Sequence, residues 1–344
     1  MKFRVFTGRS RWVQMFLVLV LIAAFAGCKS EGYKPNMTGA MGELLVVMDD
    51  RWRNGPEGEA IQAVLRQPME GLPQAEPIFN LSITPHRAFS GSMRTFRNLL
   101  ITRIDDEVEN EGVRFFSESN WAKGQALAQI NARTPEKFLE LLDKEELRLI
   151  GFFLRAERQR SLDYYKQYAN AQLVNNVQSQ WNMRMTIPTT FTSNKSTESF
   201  SWMSDETPTT SQGLFIYSFD YVGEGTLSRE YLLNKRDSVL RANVPGPSQG
   251  SFMSTEHTIP ITYKRLKVNE HDAVELRGLW KVIGDLMGGP FVLFAHHDKA
   301  NNRVVVTDGY VYMPEKPAKR NLVWQVESLF YSVEFPNSGE SANN

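Results

Sequence analysis

The chain has 344 residues, 42% of them hydrophobic, with seven Trp and 39 basic against 39 acidic side chains. That supplies core material for one large or two ordinary domains and excludes a disordered stalk. Residues 1–27 hold four bases (Lys2, Arg4, Arg9, Arg11) and no acid; the rest carries 35 bases against 39 acids, a net charge of about −4 that argues against a nucleic-acid partner.

The N-terminus reads as an export signal. The basic start leads into an apolar run, Trp12 to Ala26, broken only by Gln14, and then into small residues before Cys28. The run is about fifteen residues, short of the roughly twenty that a membrane-spanning helix needs. Cys28 is the only cysteine in the chain, so it has no internal disulfide partner. Phe25-Ala26-Gly27-Cys28 resembles a bacterial lipobox, with Phe25 in the place usually taken by Leu. The expectation is a signal at 1–27, lipidation of Cys28, and a tether at 28–39. Lys29-Ser30 after the cysteine favours the outer membrane; the single acid Glu31 favours its periplasmic face and leaves surface exposure open.

Glu43 to Met48 predicts a buried strand, and Gly58 to Gln67 a helix with Ile61, Val64 and Leu65 on one side. Ile78–Ile83, Asn98–Ile104 and Gln125–Ile130 predict further strands. Thr134 is placed to cap a helix with Pro135 at its first position, running to about Gln180 with a bend near Ile150-Gly151. Its expected apolar stripe is Leu154, Leu162, Tyr165, Tyr168 and Leu173, and the charge run Arg155 to Arg160 is expected to face solvent. After Trp181 the texture turns to β: Met183–Thr192, Glu198–Met203 and Gly213–Tyr221. Thr226 is expected to cap a helix to about Arg241. Ile261–Val268, Ala273–Ile283, Phe291–His297 and Arg303–Tyr312 follow as strands, and Arg320–Val333 as an amphipathic helix. The expected class is α+β: an N-terminal α/β domain at 40–182 with a long helical segment, a C-terminal antiparallel α+β domain at 183–336, and a disordered tail at 337–344.

Several motifs support a family resemblance. Gly42 to Asp49, Leu72 to Pro77 and Arg97 to Leu100, with Arg236 to Leu240, Val244 to Pro247, Arg277 to Trp280, Met287 to Phe291 and Asp308 to Tyr312, resemble the domain-of-unknown-function 4837 group of Bacteroidota lipoproteins. The resemblance implies a location and an organism class and supplies no catalytic residue. The order of elements after Trp181 is also similar, at fold level, to the photosystem P-protein/Mog1 type, which does not fix function.

Candidate chemistry is sparse. Gly246-Pro-Ser-Gln-Gly250 matches G-x-S-x-G, making Ser248 a nominal nucleophile with His257 or His271 and Asp272, but a helix ends before it where a strand is needed. His296, His297 and Asp298 form the one local set of metal-ligand types, yet neighbours on a strand point to opposite faces. Asp49-Asp50 and Asp105-Asp106-Glu107 sit at strand ends, where acids can build cation or glycosidase sites. Met287, Gly288, Gly289, Pro290 and Phe291 read as a strand-entry turn bordering a ligand or partner groove. No cofactor and no metal are expected. The expected function is a membrane-anchored envelope lipoprotein that binds a partner and supports outer-membrane assembly or maintenance; the alternatives are a tethered hydrolase of glycan or peptidoglycan and a purely structural spacer.

Overall fold

The computed structural model describes residues 34–116 and 121–336. The expected signal at 1–27, Cys28, the expected tether up to residue 33 and the expected tail at 337–344 lie outside the described residues. No helix among the described residues is long and apolar enough to cross a membrane.

The first sheet is built from β1 (Glu43–Val47), β2 (Asn80–Thr84), β3 (Asn98–Ile104), β4 (Gly112–Phe116) and β5 (Ala126–Ala132), in the order β2-β1-β3-β5-β4. The first four in that order are parallel and β4 closes one edge antiparallel. Between β1 and β2 lie α1 (Asp50–Arg53) and α2 (Pro56–Leu65). β1 and β3 are almost wholly buried, as parallel strands covered on both faces must be.

The helix after β5, α3 (Pro135–Gln167), is capped by Thr134 Oγ1, which accepts from Lys137 N at 3.2 Å. The interruption expected near Gly151 does not occur. A helical glycine costs only about 1 kcal/mol, and with Leu149, Ile150 and Phe153 buried around it the helix continues through Gly151 without a break. The break comes at Tyr168 instead, where a distant segment intrudes: Thr189 N donates to Tyr168 O at 2.9 Å and Asn170 N to Ile187 O at 2.7 Å. Asn170 then caps α4 (Ala171–Trp181). Tyr168 is 48% exposed, so the expected stripe does not extend to it.

The second sheet is antiparallel, in the order β10-β11-β12-β13-β8-β7-β6 with β9 paired to one end of β11. Its strands are β6 (Thr192–Thr197), β7 (Phe200–Glu206), β8 (Ser211–Asp220), β9 (Phe252–Thr255), β10 (Thr262–Val268), β11 (His271–Ile283), β12 (Gly288–Asp298) and β13 (Arg303–Tyr312). Met183–Thr192, expected as a strand, joins no ladder before Thr192; its alternation reflects Met183, Met185, Ile187 and Phe191 plugging the core from an extended segment. α5 (Arg229–Asn243) is capped by Ser228 rather than Thr226, which sits in a 3-10 turn. α6 (Arg320–Phe330) is the last helix.

One core runs through both sheets. Leu44, Val46, Phe79, Phe138 and Phe153 of the first half share it with Phe294, Val305, Trp324, Val326 and Phe330 of the second. The other face of the second sheet packs Phe215, Leu276, Trp280, Phe291 and Tyr310 against Leu232, Leu233 and Leu240 of α5. This is a mixed α+β protein with two sheets.

One carboxylate, Glu76, fastens the halves to each other, and a second, Glu157, fastens the first half within itself. Glu76 accepts from the backbone N–H of Lys319 at 2.6 Å and of Arg320 at 3.1 Å, so it caps the N-terminus of α6 from across the molecule. Glu157 overturns the reading of Arg155–Arg160 as a solvated face: it is 1% exposed and faces inward. Its Oε1 accepts from Asn98 Nδ2 at 2.7 Å, Arg97 Nε at 3.0 Å and Gly42 N at 3.2 Å, and Arg160 Nη2 lies 3.0 Å away. Removing it would leave Arg97 and Arg160 buried without their counter-ion. Glu157→Ala is therefore expected to cost about 3–5 kcal/mol, and Glu76→Ala about 1 kcal/mol as a lost helix cap, both read as shifts in urea midpoint. Equal, small effects would show that the buried network is not a fastening.

Candidate functional site

One end of the second sheet opens into a cleft of ≈ 440 Å³, within the size range of small-ligand sites. The strands bring its walls together: Trp202 and Glu206 from β7, Ser211 from β8, Met253 from β9, Trp280 and Val282 from β11, Tyr310 and Tyr312 from β13. Pro245 and Pro247, after α5, form one rim, and Pro208 in the β7–β8 turn and Pro314 with Glu315 form others. Among the described residues, two carboxylates, Glu206 and Glu315, and no Lys, Arg or His line it.

Tyr310 is the floor. Its ring stacks on Phe215 at 5.2 Å and meets Trp280 edge-on at 5.7 Å. That seat exists because residue 213 is glycine: a Cβ there would lie 1.8 Å from the Tyr310 ring. The polar tips are chained. Trp202 Nε1 donates to Tyr310 Oη at 3.2 Å, and Ser211 Oγ donates to Glu206 Oε1 at 2.7 Å. Ser211 has one proton, already given to Glu206, so across the 3.4 Å to Tyr310 Oη the phenol is the donor. The chain thus runs from Trp202 through Tyr310 and Ser211 to the Glu206 carboxylate. Burial pushes the Tyr310 phenol up to about 12, keeping it neutral at any physiological pH. Trp280 Nε1 donates to Val311 O at 3.2 Å. The rings are fixed walls with satisfied polar atoms.

Behind the floor, Arg236 of α5 is fully buried, its Nε donating to Asp308 Oδ2 at 2.8 Å and Nη1 to Thr255 Oγ1 at 2.8 Å. The guanidinium lies 3.9 Å from the Phe291 ring centre. Burial raises Asp308 to about 6 against the opposing pull of Arg236.

A second cleft, ≈ 530 Å³, lies between α3, α6 and β10–β11. Four of its charged residues, Arg158, Glu275, Arg277 and Glu327, are engaged with one another. Arg277 Nε donates to Glu275 at 2.8 Å, Arg277 Nη2 lies 2.8 Å from Glu327, and Arg158 stacks 3.2 Å over Tyr331. Neighbouring carboxylates hold Arg277 well above its ordinary value despite burial. This set joins α3, α6 and the second sheet.

Of the groove residues expected from sequence, Met287 lines the first cleft, whereas Gly288, Gly289, Pro290 and Phe291 run inside β12 and are not among its lining. They form no turn. Gly289 is needed for close approach instead, since a Cβ would lie 2.1 Å from Val311 O. Ser248 is exposed and donates to Asp285 Oδ2 at 2.5 Å. His257 pairs with Asp237, and Asp272 with Lys299, so the triad drawn from sequence does not assemble. Asp49 and Asp105 end adjacent parallel strands, but each is beside an arginine, Arg51 and Arg103, and neither lines the two clefts above. His296 and His297 part to opposite sides, one buried and one stacked on Tyr221 at 3.9 Å; Asp298 pairs with Arg303. Among the described residues no group of three or more His, Cys, Asp or Glu is placed to hold a metal ion.

The fold and cleft define a two-sheet α+β protein with an aromatic, acid-rimmed pocket. Residues 170–332 match the model of the family described as Domain of unknown function (DUF4837). The three N-terminal segments assigned to that same resemblance fall instead within residues 37–166, which match a separate Domain of unknown function (DUF8532). No curated protein matches by sequence. Similar solved structures include a Mog1 mutant (9% identity, TM-score 0.31, 46% of this chain and 92% of that one). Another is the Saccharomyces cerevisiae Ran-binding protein Mog1p (10%, 0.31, 45% and 90%). Likeness this low carries no argument about function.

His296 gives a pH prediction. Burial lowers its pKa to about 3, and His271 adds to the effect. The unfolded value is near 6.5, so folding favours the neutral ring. Its contribution to stability is complete above about pH 6.5 and is lost progressively as pH falls toward 3. His296→Gln should be less stable than the natural chain at about pH 7.5, and the gap in urea midpoint should narrow by at least about 1 kcal/mol by pH 5. A gap independent of pH would contradict this. Separately, Gly213→Ala should displace the Tyr310 ring and cost about 1–3 kcal/mol as overpacking, read by thermal melting and near-ultraviolet circular dichroism.

Proposed function

We propose that the protein is an envelope lipoprotein, anchored through Cys28 at the outer membrane with its body on the periplasmic side, and that it works by binding rather than by catalysis. The observation that carries the binding half is the cleft between Trp202, Trp280, Tyr310 and Tyr312 with Glu206 and Glu315 at its mouth. Aromatic faces attract cations through their quadrupole, and carboxylates without a competing base add to that attraction. The ligand class that fits is an apolar arm ending in an organic cation, such as a lysine side chain of a partner protein. The anchor half rests on the signal, the lone Cys28 and the lipobox resemblance.

A lysine-bearing probe, Nα-acetyl-lysine methylamide, should produce a saturable change in tryptophan fluorescence. Glu206→Gln with Glu315→Gln should weaken it about tenfold, equivalent to about 1.4 kcal/mol. The glutamate analogue of the probe should bind no better than salt. A flat titration, or equal response to both probes, would reject the cation-binding cleft. For the anchor, mass analysis should find acyl chains on residue 28, and Cys28→Ser should release the protein from the membrane fraction.

A further inference from the structure

We infer that the amino-terminal edge of the first sheet is a membrane-contact surface, seating Tyr164 and Tyr168 at the headgroup level of the bilayer that holds the anchor. The inference rests on the lipid-anchor reading above and extends it from the tether to the folded body. The chain enters the described structure at this edge. Lys123 N donates to Pro35 O at 2.9 Å, Thr38 N donates to Thr95 O at 2.8 Å, and Met37 lies against Gly124. Five residues separate Cys28 from Lys34, and the six steps between them reach at most about 22 Å. An acyl group on Cys28 therefore confines this edge, and no other part of the body so tightly, to the neighbourhood of the lipid.

The long helix delivers aromatic side chains to the same place. α3 returns along β5, and Arg160 Nη1 donates to Gly124 O at 2.9 Å, just before β5 begins. Seven more helical residues, about 10 Å, continue past that contact. On them Tyr164 is 61% exposed, and Tyr168, the residue that ends the helix, is 48% exposed. Their rings lie one helical turn apart at 5.0 Å, and half-buried Tyr165 packs edge-on against Tyr164 at 5.7 Å. Exposed Lys166 accompanies them, with Asp163 as the one acid of that turn. Flanking the tether's entry on the β5 side stand half-buried Trp121, with Arg94 6.0 Å over its ring, and exposed Lys123.

Tyr and Trp combine an apolar body with a polar tip, and Lys and Arg have apolar stems with charged heads. These are the side chains that settle at a membrane–water boundary. Two neighbouring tyrosines half out of a helix gain little in water, whereas at the headgroup level both ends of each ring are matched. A second copy of the chain or a protein partner could cover the same rings, but the tether's length and point of entry single out lipid.

The full lipidated protein, reconstituted into vesicles of phosphatidylethanolamine and phosphatidylglycerol, tests this. Acylation blocks Cys28, so Tyr164→Cys or Tyr168→Cys gives a unique thiol for a nitroxide label. Asp106→Cys, exposed at the opposite edge across the seven residues of β3, serves as the control. The label at 164 or 168 should collide several-fold less often with a water-soluble nickel chelate than the label at 106, and more often with oxygen. Equal water access at 164, 168 and 106, in protein whose mass shows the acyl chains, would overturn the contact while leaving the anchor standing. A mass showing residue 28 unmodified would sink the anchor reading and the contact together.

Discussion

The architecture depends on the capping of one helix by a residue almost two hundred and fifty positions away. α6 begins at Arg320 with no cap of its own: Lys319 precedes it in a helical conformation and offers no side-chain acceptor. Glu76, in the loop before β2, supplies both oxygens to its first N–H groups, and Arg320 in return donates from Nη1 to Pro77 O at 2.6 Å. The helix N-terminus, with its partial positive charge, is thereby matched by a carboxylate from the other half. Everything α6 buries then falls into register. Trp324 meets Phe79 at 5.9 Å on the first-sheet side, and Phe330 meets Phe294 at 5.5 Å on the second.

Because α6 occupies one face of the second sheet, α5 must cover the other. α5 is only fifteen residues long, and it ends at Asn243 before the sheet does. The uncovered end is the aromatic cleft. Large side chains converge there from β7, β11 and β13, and a sheet end without a helix over it leaves their faces open. The polar chain from Trp202 to Glu206 satisfies the groups that such an opening would otherwise strand. The cleft is thus a product of how two helices of unequal reach share one sheet, and Arg236 pinned to Asp308 fixes where α5 sits.

Much of the fold was legible because its strands carry their own signal. β1, β3, β8, β12 and β13 are apolar runs whose burial pattern is written in consecutive residues. β4 and β9 were not, since an edge strand with three half-buried residues and a four-residue strand hold too little pattern. The charge run at Arg155–Arg160 looks the same whether it faces in or out. What turns Glu157 inward is Arg97 and Asn98, some sixty residues earlier, and no periodicity reports that. The cleft is half legible: Met287 belongs to the expected groove segment, but the walls come from strands separated by 108 residues between Trp202 and Tyr310. The alternation of Tyr310 and Tyr312 gave a hint that two aromatics share a face. Which end of the sheet stays open is a matter of topology, and topology is where local reading stops.

The same fastening gives the proposed roles a common geometry. A tethered binding protein can hold its ligand at a set height above the lipid only if tether and cleft belong to one stiff body. The tether enters beside Gly124 and Arg160, and Arg160 is joined through Glu157 to Asn98 and Gly42. Gly42 lies against Arg320, at the start of α6, whose buried face packs on β12 and β13. Each link in that path is a buried charge pair, a hydrogen bond or a packed core, with no flexible linker in it. β13 in turn carries Tyr310 into the cleft, and Met287, the residue before β12, lines it as well. On the proposed reading, loosening Glu157 would therefore do more than lower stability, because it is the link that lets a lipid on residue 28 fix the position of an aromatic pocket on the far sheet.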